Sequence, residues 1–470
     1  MQYVSTRGSA PALDFEGVTL AGLASDGGLY IPAEWPRFSQ SEIRAMRGLP
    51  YWQVAVTVMR PFIGDALTEA EFTAICREVY GGQFHHAAVT PLVQLDEQSW
   101  LLELFHGPTL AFKDIALQLL GRLFETFLER RDQRLTIVGA TSGDTGSAAI
   151  HAVAGRKRTE IFMLHPKGRV SDVQRRQMTT VRAPNVHNLA IEGSFDDAQA
   201  HVKRMFTDPE VAHVLNLGAV NSINWARLMA QVVYYFTSAV ALGAPDRAVA
   251  YSVPTGNFGD VFAGYVASKM GLPIERLIVA TNVNDILHRA LSSGDYSAGG
   301  VTPTITPSMD IQVSSNFERL LFDVGGRDGA AMAAQMRGFE ASKAMQLTNA
   351  QGQGAATLFA SHAVGQMETA RAVQAAWHDG LAIIDPHTAV GLAAAHAIAA
   401  AGTIPADVPL VTLATAHPAK FPDAVERAIG VRPSLPARVG DLFGRAESFI
   451  ELPGEYAATR DHVLGHAGHA

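Results

Sequence analysis

The chain has 470 residues, 48% of them hydrophobic, which argues for a folded, core-bearing protein larger than one ordinary domain, so two or three domains are expected. A net charge of −8 without basic clusters argues against nucleic acid as the main partner. The Ala-rich stretches are too interrupted to span a bilayer, and the single Cys76 behind an N-terminus without basic and apolar signal blocks suits a reducing, cytoplasmic setting with small-molecule ligands.

In chain order, residues 1–92 read as an N-terminal accessory domain, with the turn "SDGGLYIP" and helical pieces around Glu42 to Met46 and Glu69 to Val79. Next comes "HGPTLAFKDIALQLLG", in which Lys113 stands between an apolar pair, Ala111 and Phe112, and an apolar run. Ile115, Leu119, Leu120, Leu123, Phe124, Phe127 and Leu128 recur at helical spacing, which predicts an amphipathic helix with Lys113 in its first turn. A lysine at such an edge usually snorkels into water. Here the positive helix end and the apolar neighbours both disfavour an ammonium and push Lys113 toward the neutral amine of a Schiff-base-forming nucleophile.

Short β-rich runs then alternate with helical ones: "LTIVGA" before a helix from Thr145, "VAYSV" before one from Asp260, "LIVATN" before "NDILHRAL", "LAIID" before "AVGLAAAHAIAA", and finally "VPLVTLAT". That alternation predicts an α/β fold of open twisted sheets flanked by helices on both faces. The expected division is 1–92 for the accessory domain, 93–134 with 226–470 for a large domain, and 135–225 for a smaller inserted one. His462, His466 and His469 in the tail read as a solvated terminus, and no metal site is expected.

Two strand exits are suited to anions, because helix N-termini there face a ligand. "VPTGNFGD" places Gly256 and Gly259 where backbone amides can converge on a phosphate at a helix start. It lacks the GK[ST] of a nucleotide P-loop and the spacing of a dinucleotide fingerprint, so a single phosphate is favoured. In "GATSGDTGSAA", Ser142, Gly143 and Thr145 form a hydroxyl-rich cradle suited to a carboxylate, with Asp144 an odd presence explained by helix capping. Thr415, in "LATAHPAKF", ends an apolar strand.

Taken in order, "HGPTLAFKD", "TSGDTGSAA", "PTGNFGD", "PSMDIQVSSNFERL", "DPHTAVG" and "TAHPAKF" resemble the threonine synthases, pyridoxal-phosphate enzymes of fold type II, the tryptophan-synthase-β-like class. "STRG" and "SDGGLYIP" resemble that family's N-terminal section. The resemblance implies that Lys113 forms the Schiff base with pyridoxal 5'-phosphate, that Gly256, Asn257, Phe258, Gly259 and Asp260 form the cofactor's phosphate loop, and that Thr415 meets its ring nitrogen. Asp144 falls where many relatives carry Asn beside the cofactor's phenolic oxygen. The implied reaction turns O-phospho-L-homoserine and water into L-threonine and phosphate. The substrate's own phosphate needs a second anion site, for which the candidates are Asn221, Ser222, Asn224, Arg227, Arg319 and Lys167. A dehydratase of the same fold, which needs no second phosphate site, is the rival reading, and a non-catalytic cofactor sensor a more distant one. The oligomeric state, monomer or homodimer, stays open.

Overall fold

The computed structural model describes residues 1–468, so His469 lies outside the described residues. Apolar, β-branched runs that read as buried strands build two sheets. The larger has six strands in the order Phe359–Ala363, Ile274–Thr281, Val249–Pro254, Leu410–Ala414, Ser99–Glu103 and Leu92–Gln94. All its neighbours are parallel except the edge pair of Leu92–Gln94 with Ser99–Glu103. The smaller runs Ile450–Leu452, Val186–Ile191, Thr159–Pro166, Leu135–Ala140 and Leu217–Gly218, all parallel. Parallel strands require crossovers, and helices cover both sheets accordingly.

The Lys113–Arg130 helix is buried around its whole circumference from Lys113 to Gly121, so it is a core helix more than an amphipathic one. It packs on the Asp144–Val153 and Trp225–Ala241 helices. The approach is close at Gly121, where a Cβ would sit 2.3 Å from the carbonyl oxygen of Ala152. Any larger residue would force the helices apart.

Two elements depart from the sequence reading. "LAIID" is not a strand: Leu381 and Ala382 donate their amides back to Ala376 at the preceding helix end, and Asp385 caps the Pro386–Ala400 helix. Its apolar pattern reflects Ile384, packed with Leu101, Val373 and Leu392. The edge strand is instead Phe359–Ala363. The second departure is Ile450–Leu452, which pairs with Val186–Ile191, so the tail completes the smaller sheet although the sequence division places it with the large domain. Register there lets Tyr456 and Val463 join the core formed by Phe162, Leu164 and Leu189.

The N-terminal section has a two-stranded antiparallel ribbon, Tyr3–Ser5 with Tyr30–Pro32, and the Gln40–Ala45, Tyr51–Ile63 and Glu69–Gly82 helices. Its aromatics enter the main core: Tyr3 and Phe62 lie 5.8 Å and 5.6 Å from Trp225, ring to ring. Thr6 Oγ1 donates to Glu318 Oε1 at 2.5 Å, and Arg7 pairs with Glu318 at 3.2 Å.

Candidate active site

Lys113 opens its helix with no side-chain cap on the amides. The chain reaches it through Leu110, which takes a left-handed φ of 63°. It is then stitched to the end of the Leu410–Ala414 strand: Phe112 N donates to Thr415 O at 2.9 Å and His417 N to Leu110 O at 3.0 Å. These two bonds bring Thr415 beside Lys113. Thr415 is a buried residue, and its hydroxyl has no hydrogen-bond partner among the described residues.

Lys113 Nζ lies 3.5 Å from Asp144 Oδ2. Burial pulls the Lys113 amine below its ordinary value, Asp144 opposes this, and the cations Lys420 and Arg227 add to the lowering. Asp144 is not a cap, since Gly143 holds that position. Its carboxylate receives Lys420 Nζ at 3.0 Å, Gln174 Nε2 at 2.8 Å and Ser308 Oγ at 3.5 Å. Burial alone would raise Asp144, but Lys420 and Lys113 hold it well below the usual carboxylate range.

In the carboxylate cradle, the Thr141 hydroxyl accepts the amides of Gly143 and Gly146, each at 2.9 Å. The amides of Ser142, Asp144 and Thr145 donate to nothing among the described residues, and Ser142 is exposed. Gly143 has φ 139°, and a Cβ there would press on Gln174 at 2.4 Å. Only glycine suits that position.

Val249–Pro254 exits into the second loop. The amides of Gly256, Asn257, Phe258 and Asp260 have no acceptor among the described residues, and Gly259 N reaches only Asn257 Oδ1 at 3.4 Å. Convergent free amides at the start of the Gly259–Lys269 helix fit a phosphate. The left-handed residue is Phe258, with φ 64°, held by Phe317 and Phe359 at ring distances of 5.0 Å and 5.6 Å. Gly256 is needed for a different reason than phosphate approach: a Cβ would meet Ile311 Cδ1 at 2.9 Å and Ser308 O at 3.0 Å. Asp260 faces the Trp225–Ala241 helix, where Tyr234 and Tyr235 donate to Oδ1, while Oδ2 has no partner. Burial pushes this carboxyl up to about 7.

The candidates for a second anion site separate. Arg227 is buried and has one bonded donor, Nη1 to Val220 O at 2.8 Å. Among the described residues its Nε has no partner and no carboxylate pairs with it, and burial pulls it to about 10. Asn221 is exposed, and Ser222 lies nearby with its hydroxyl 3.3 Å from that of Ser315. Asn224 caps the Trp225–Ala241 helix and donates to Thr19 O at 2.8 Å, so its side chain is engaged. Arg319 is fully buried and donates to Tyr30 O at 3.0 Å, Ile223 O at 2.6 Å and Asn316 Oδ1. Asn316 in turn donates to Asn257 O, which makes Arg319 a brace behind the phosphate loop. Lys167 lies elsewhere, half-exposed and paired with Glu451 at 2.7 Å.

Sequence reasoning passed over Lys420, Gln174, Gln177, Ser308 and His387. Three of these stand in the quoted blocks "TAHPAKF", "PSMDIQVSSNFERL" and "DPHTAVG", and the signal was a polar or charged residue inside an apolar stretch. His387 Nδ1 donates to Asp385 at 2.7 Å, leaving Nε2 to accept the Ser308 amide at 3.4 Å.

Three family models match consecutive stretches: threonine synthase N terminus over residues 2–80, pyridoxal-phosphate dependent enzyme over 84–360, and threonine synthase, C-terminal, over 388–463. A threonine synthase from Pseudomonas aeruginosa is 54% identical over 467 residues, covering 99% of this chain and 98% of its own. The crystal structure of PLP-bound threonine synthase from Brucella melitensis superposes with a TM-score of 0.97 at 54% identity, covering 100% of both chains. That of threonine synthase from yeast gives 0.94 at 39% identity, covering 100% of this chain and 99% of its own.

Proposed function

The chain belongs to the threonine synthase family of pyridoxal-phosphate-dependent, fold type II enzymes, and from that premise we propose how its residues carry the conversion of O-phospho-L-homoserine and water to L-threonine and phosphate. Lys113 is the residue that bonds the cofactor. The amides of Gly256, Asn257, Phe258, Gly259 and Asp260 would hold its phosphate, the Thr415 hydroxyl would serve its ring nitrogen, and Asp144, beside Lys113, would face its phenolic oxygen. The free loop amides, the unpartnered Thr415 hydroxyl and the buried amine of Lys113 are the donor set that such a group requires. When bound, pyridoxal phosphate supplies the electron sink for charge developing on the substrate.

The protein's part is to orient the substrate and move protons. Ser142, Gly143 and Thr145 take the substrate carboxylate at the Asp144–Val153 helix start. Lys113 removes protons at Cα and then Cβ, phosphate leaves Cγ with the bonding electron pair, and Lys113 then returns one proton to Cγ. Water adds its hydroxyl at Cβ and gives its other proton to the released phosphate, and the second proton held by Lys113 goes back to Cα. A neutral hydroxyl such as Thr415 at the ring nitrogen favours elimination over transamination, since it does not stabilise a ring cation as a carboxylate would.

One observation carries the choice of substrate. Among the described residues Arg227 is a buried cation without a counter-ion, and its charge adds to the lowering of the Lys113 amine. An unpaired buried charge is costly, and the substrate's γ-phosphate is the partner that would complete it. A dehydratase needs no such group. Asn221 and Ser222, which follow the Val220 carbonyl that Arg227 holds, are the further candidates for this second anion site, while the side chains of Asn224 and Arg319 are engaged within the fold.

The test is to mix holoenzyme with O-phospho-L-homoserine and assay threonine and phosphate together. Equal release of both is expected, and a keto acid without threonine would refute the assignment in favour of the dehydratase. The cytoplasmic setting proposed for the enzyme rests on the single, buried Cys76, whose thiol burial pushes up and so keeps inert. The absence of basic clusters supports a small-molecule partner over nucleic acid. No helix among the described residues is long and apolar enough to cross a membrane.

A further inference from the structure

Lys420 has no exposed surface, although lysine is among the side chains least often buried. Its three donors are all used: Asp144 Oδ1 at 3.0 Å, Thr109 O at 2.6 Å and Gln177 Oε1 at 2.9 Å. Gln177 also donates to Thr109 O at 2.9 Å, and Gln174 shares Asp144 Oδ1 with Lys420 at 2.8 Å. The ammonium is thus fixed in position by neutral groups, with its charge directed at one carboxylate. The opposite oxygen of that carboxylate faces Lys113 Nζ at 3.5 Å. One carboxylate stands between two buried lysines.

A two-residue pair of Lys113 and Asp144 would have a defect. Each time Lys113 gave up its charge, Asp144 would be a buried carboxylate without a counter-ion, and the two would share one proton. Lys420 removes that defect. We propose that Lys420 is a positioning residue that fixes Asp144 as a permanent carboxylate counter-ion to Lys113, so that Asp144 orients and balances the lysine and never carries a proton itself. The inference rests on Lys113 as the cofactor-bonding residue.

The groups facing this triad are few. Lys113 and Asp114 come from the start of the Lys113–Arg130 helix, Arg227 from the Trp225–Ala241 helix and His151 from the Asp144–Val153 helix. Ser308 brings His387 behind it, and the Asp172–Thr179 helix contributes the neutral Gln174 and Gln177. Asp114 is held by Thr109 N and Oγ1, each at 2.7 Å, and burial keeps it up at about 6. Lys113 apart, none of these is paired with Asp144 as a cation, so Lys420 is the charge that stays when Lys113 gives up its own.

A cycle of charge-removing variants in the holoenzyme tests this. The pH dependence of the visible band of the cofactor-linked enzyme reports the proton on Lys113 Nζ. Lys420→Met removes a positive neighbour and is expected to move that midpoint up by about one pH unit or more. Asp144→Asn keeps the shape, removes the negative neighbour and is expected to move it down by a similar amount. The double variant removes a neutral pair and is expected to return close to the wild-type midpoint. If the wild-type band holds its form over the whole stable range, Asp144→Asn should bring the midpoint down into it and the double variant send it back out. A packing role for Lys420 would not produce opposite shifts that cancel. Shifts of both single variants in the same direction, or a double variant displaced as far as a single one, overturn the proposal. If Lys420→Met does not fold, the double variant, which leaves no charge unpaired, decides it against Asp144→Asn alone. A visible band that survives Lys113→Ala would refute the lysine linkage itself and is distinguishable from either result.

Discussion

Replacing Arg227 by Met should separate activity from stability. Arg227 contributes one hydrogen bond to the fold, to Val220 O at 2.8 Å, and leaves Nε unpartnered in a buried setting. Losing that bond costs about 1 kcal/mol, offset by removing a buried guanidinium that no carboxylate among the described residues balances. The melting temperature of the apoenzyme is therefore expected to stay level or rise. If the guanidinium binds the substrate's phosphate, the variant loses a charge-assisted hydrogen bond of about 1.5–3 kcal/mol, which is roughly a 10- to 150-fold fall in kcat/KM. Inhibition by the product phosphate should weaken in parallel. The assay is steady-state threonine formation with and without added phosphate, alongside thermal unfolding of the same preparation. An unchanged kcat/KM with unchanged phosphate inhibition would refute the reasoning. So would a collapse in stability, which would make Arg227 a structural brace.

Arg319→Met should behave in the opposite way: three buried acceptors, on Tyr30, Ile223 and Asn316, lose their donor, and a loss of about 3 kcal/mol or more is expected in denaturant unfolding. Thr415→Val keeps its shape and removes the hydroxyl, so threonine formation should fall by roughly five- to two-hundredfold with the fold intact, as circular dichroism and steady-state rates would show. Asp260 gives a pH signature. Burial holds its folded-state carboxyl at about 7, above the ordinary carboxylate range, so its contribution to stability is fully present below that ordinary range and is lost as pH rises through about 7. Asp260→Asn should flatten that segment of the stability curve in urea titrations of the apoenzyme, and an identical pH dependence would contradict the assignment.

Much of the scaffold was legible because strand and helix periodicity are local. "VAYSV" and the helix behind it, and the apolar run after Lys113, appear as Val249–Pro254, Gly259–Lys269 and Lys113–Arg130. "LAIID" misled because a buried Ile384 beside a helix end has the same apolar pattern as a strand. Ile450–Leu452 was missed because it is mostly exposed, and its pairing with Val186–Ile191 bridges distant parts of the chain. Among the residues singled out for a site, the fold brings Lys113, Asp144, Arg227 and Thr415 together and leaves Lys167 on an exposed ion pair. Arg227 and Arg319 look alike in sequence. Only their partners distinguish Arg227, with one bond to Val220 O and an unpartnered Nε among the described residues, from Arg319, whose donors are engaged with Tyr30 O, Ile223 O and Asn316. Lys420 was invisible for the same reason, since its meaning lies in Asp144, Thr109 and Gln177, none of them near it in the chain.

Two buried lysines flank Asp144, and the account gives them different tasks. Borohydride reduction of the holoenzyme followed by peptide mapping distinguishes them most directly. The reduced cofactor is expected on Lys113, in the peptide carrying "HGPTLAFKD", with loss of both label and turnover in Lys113→Ala. A label on Lys420, or on any other lysine, would contradict it.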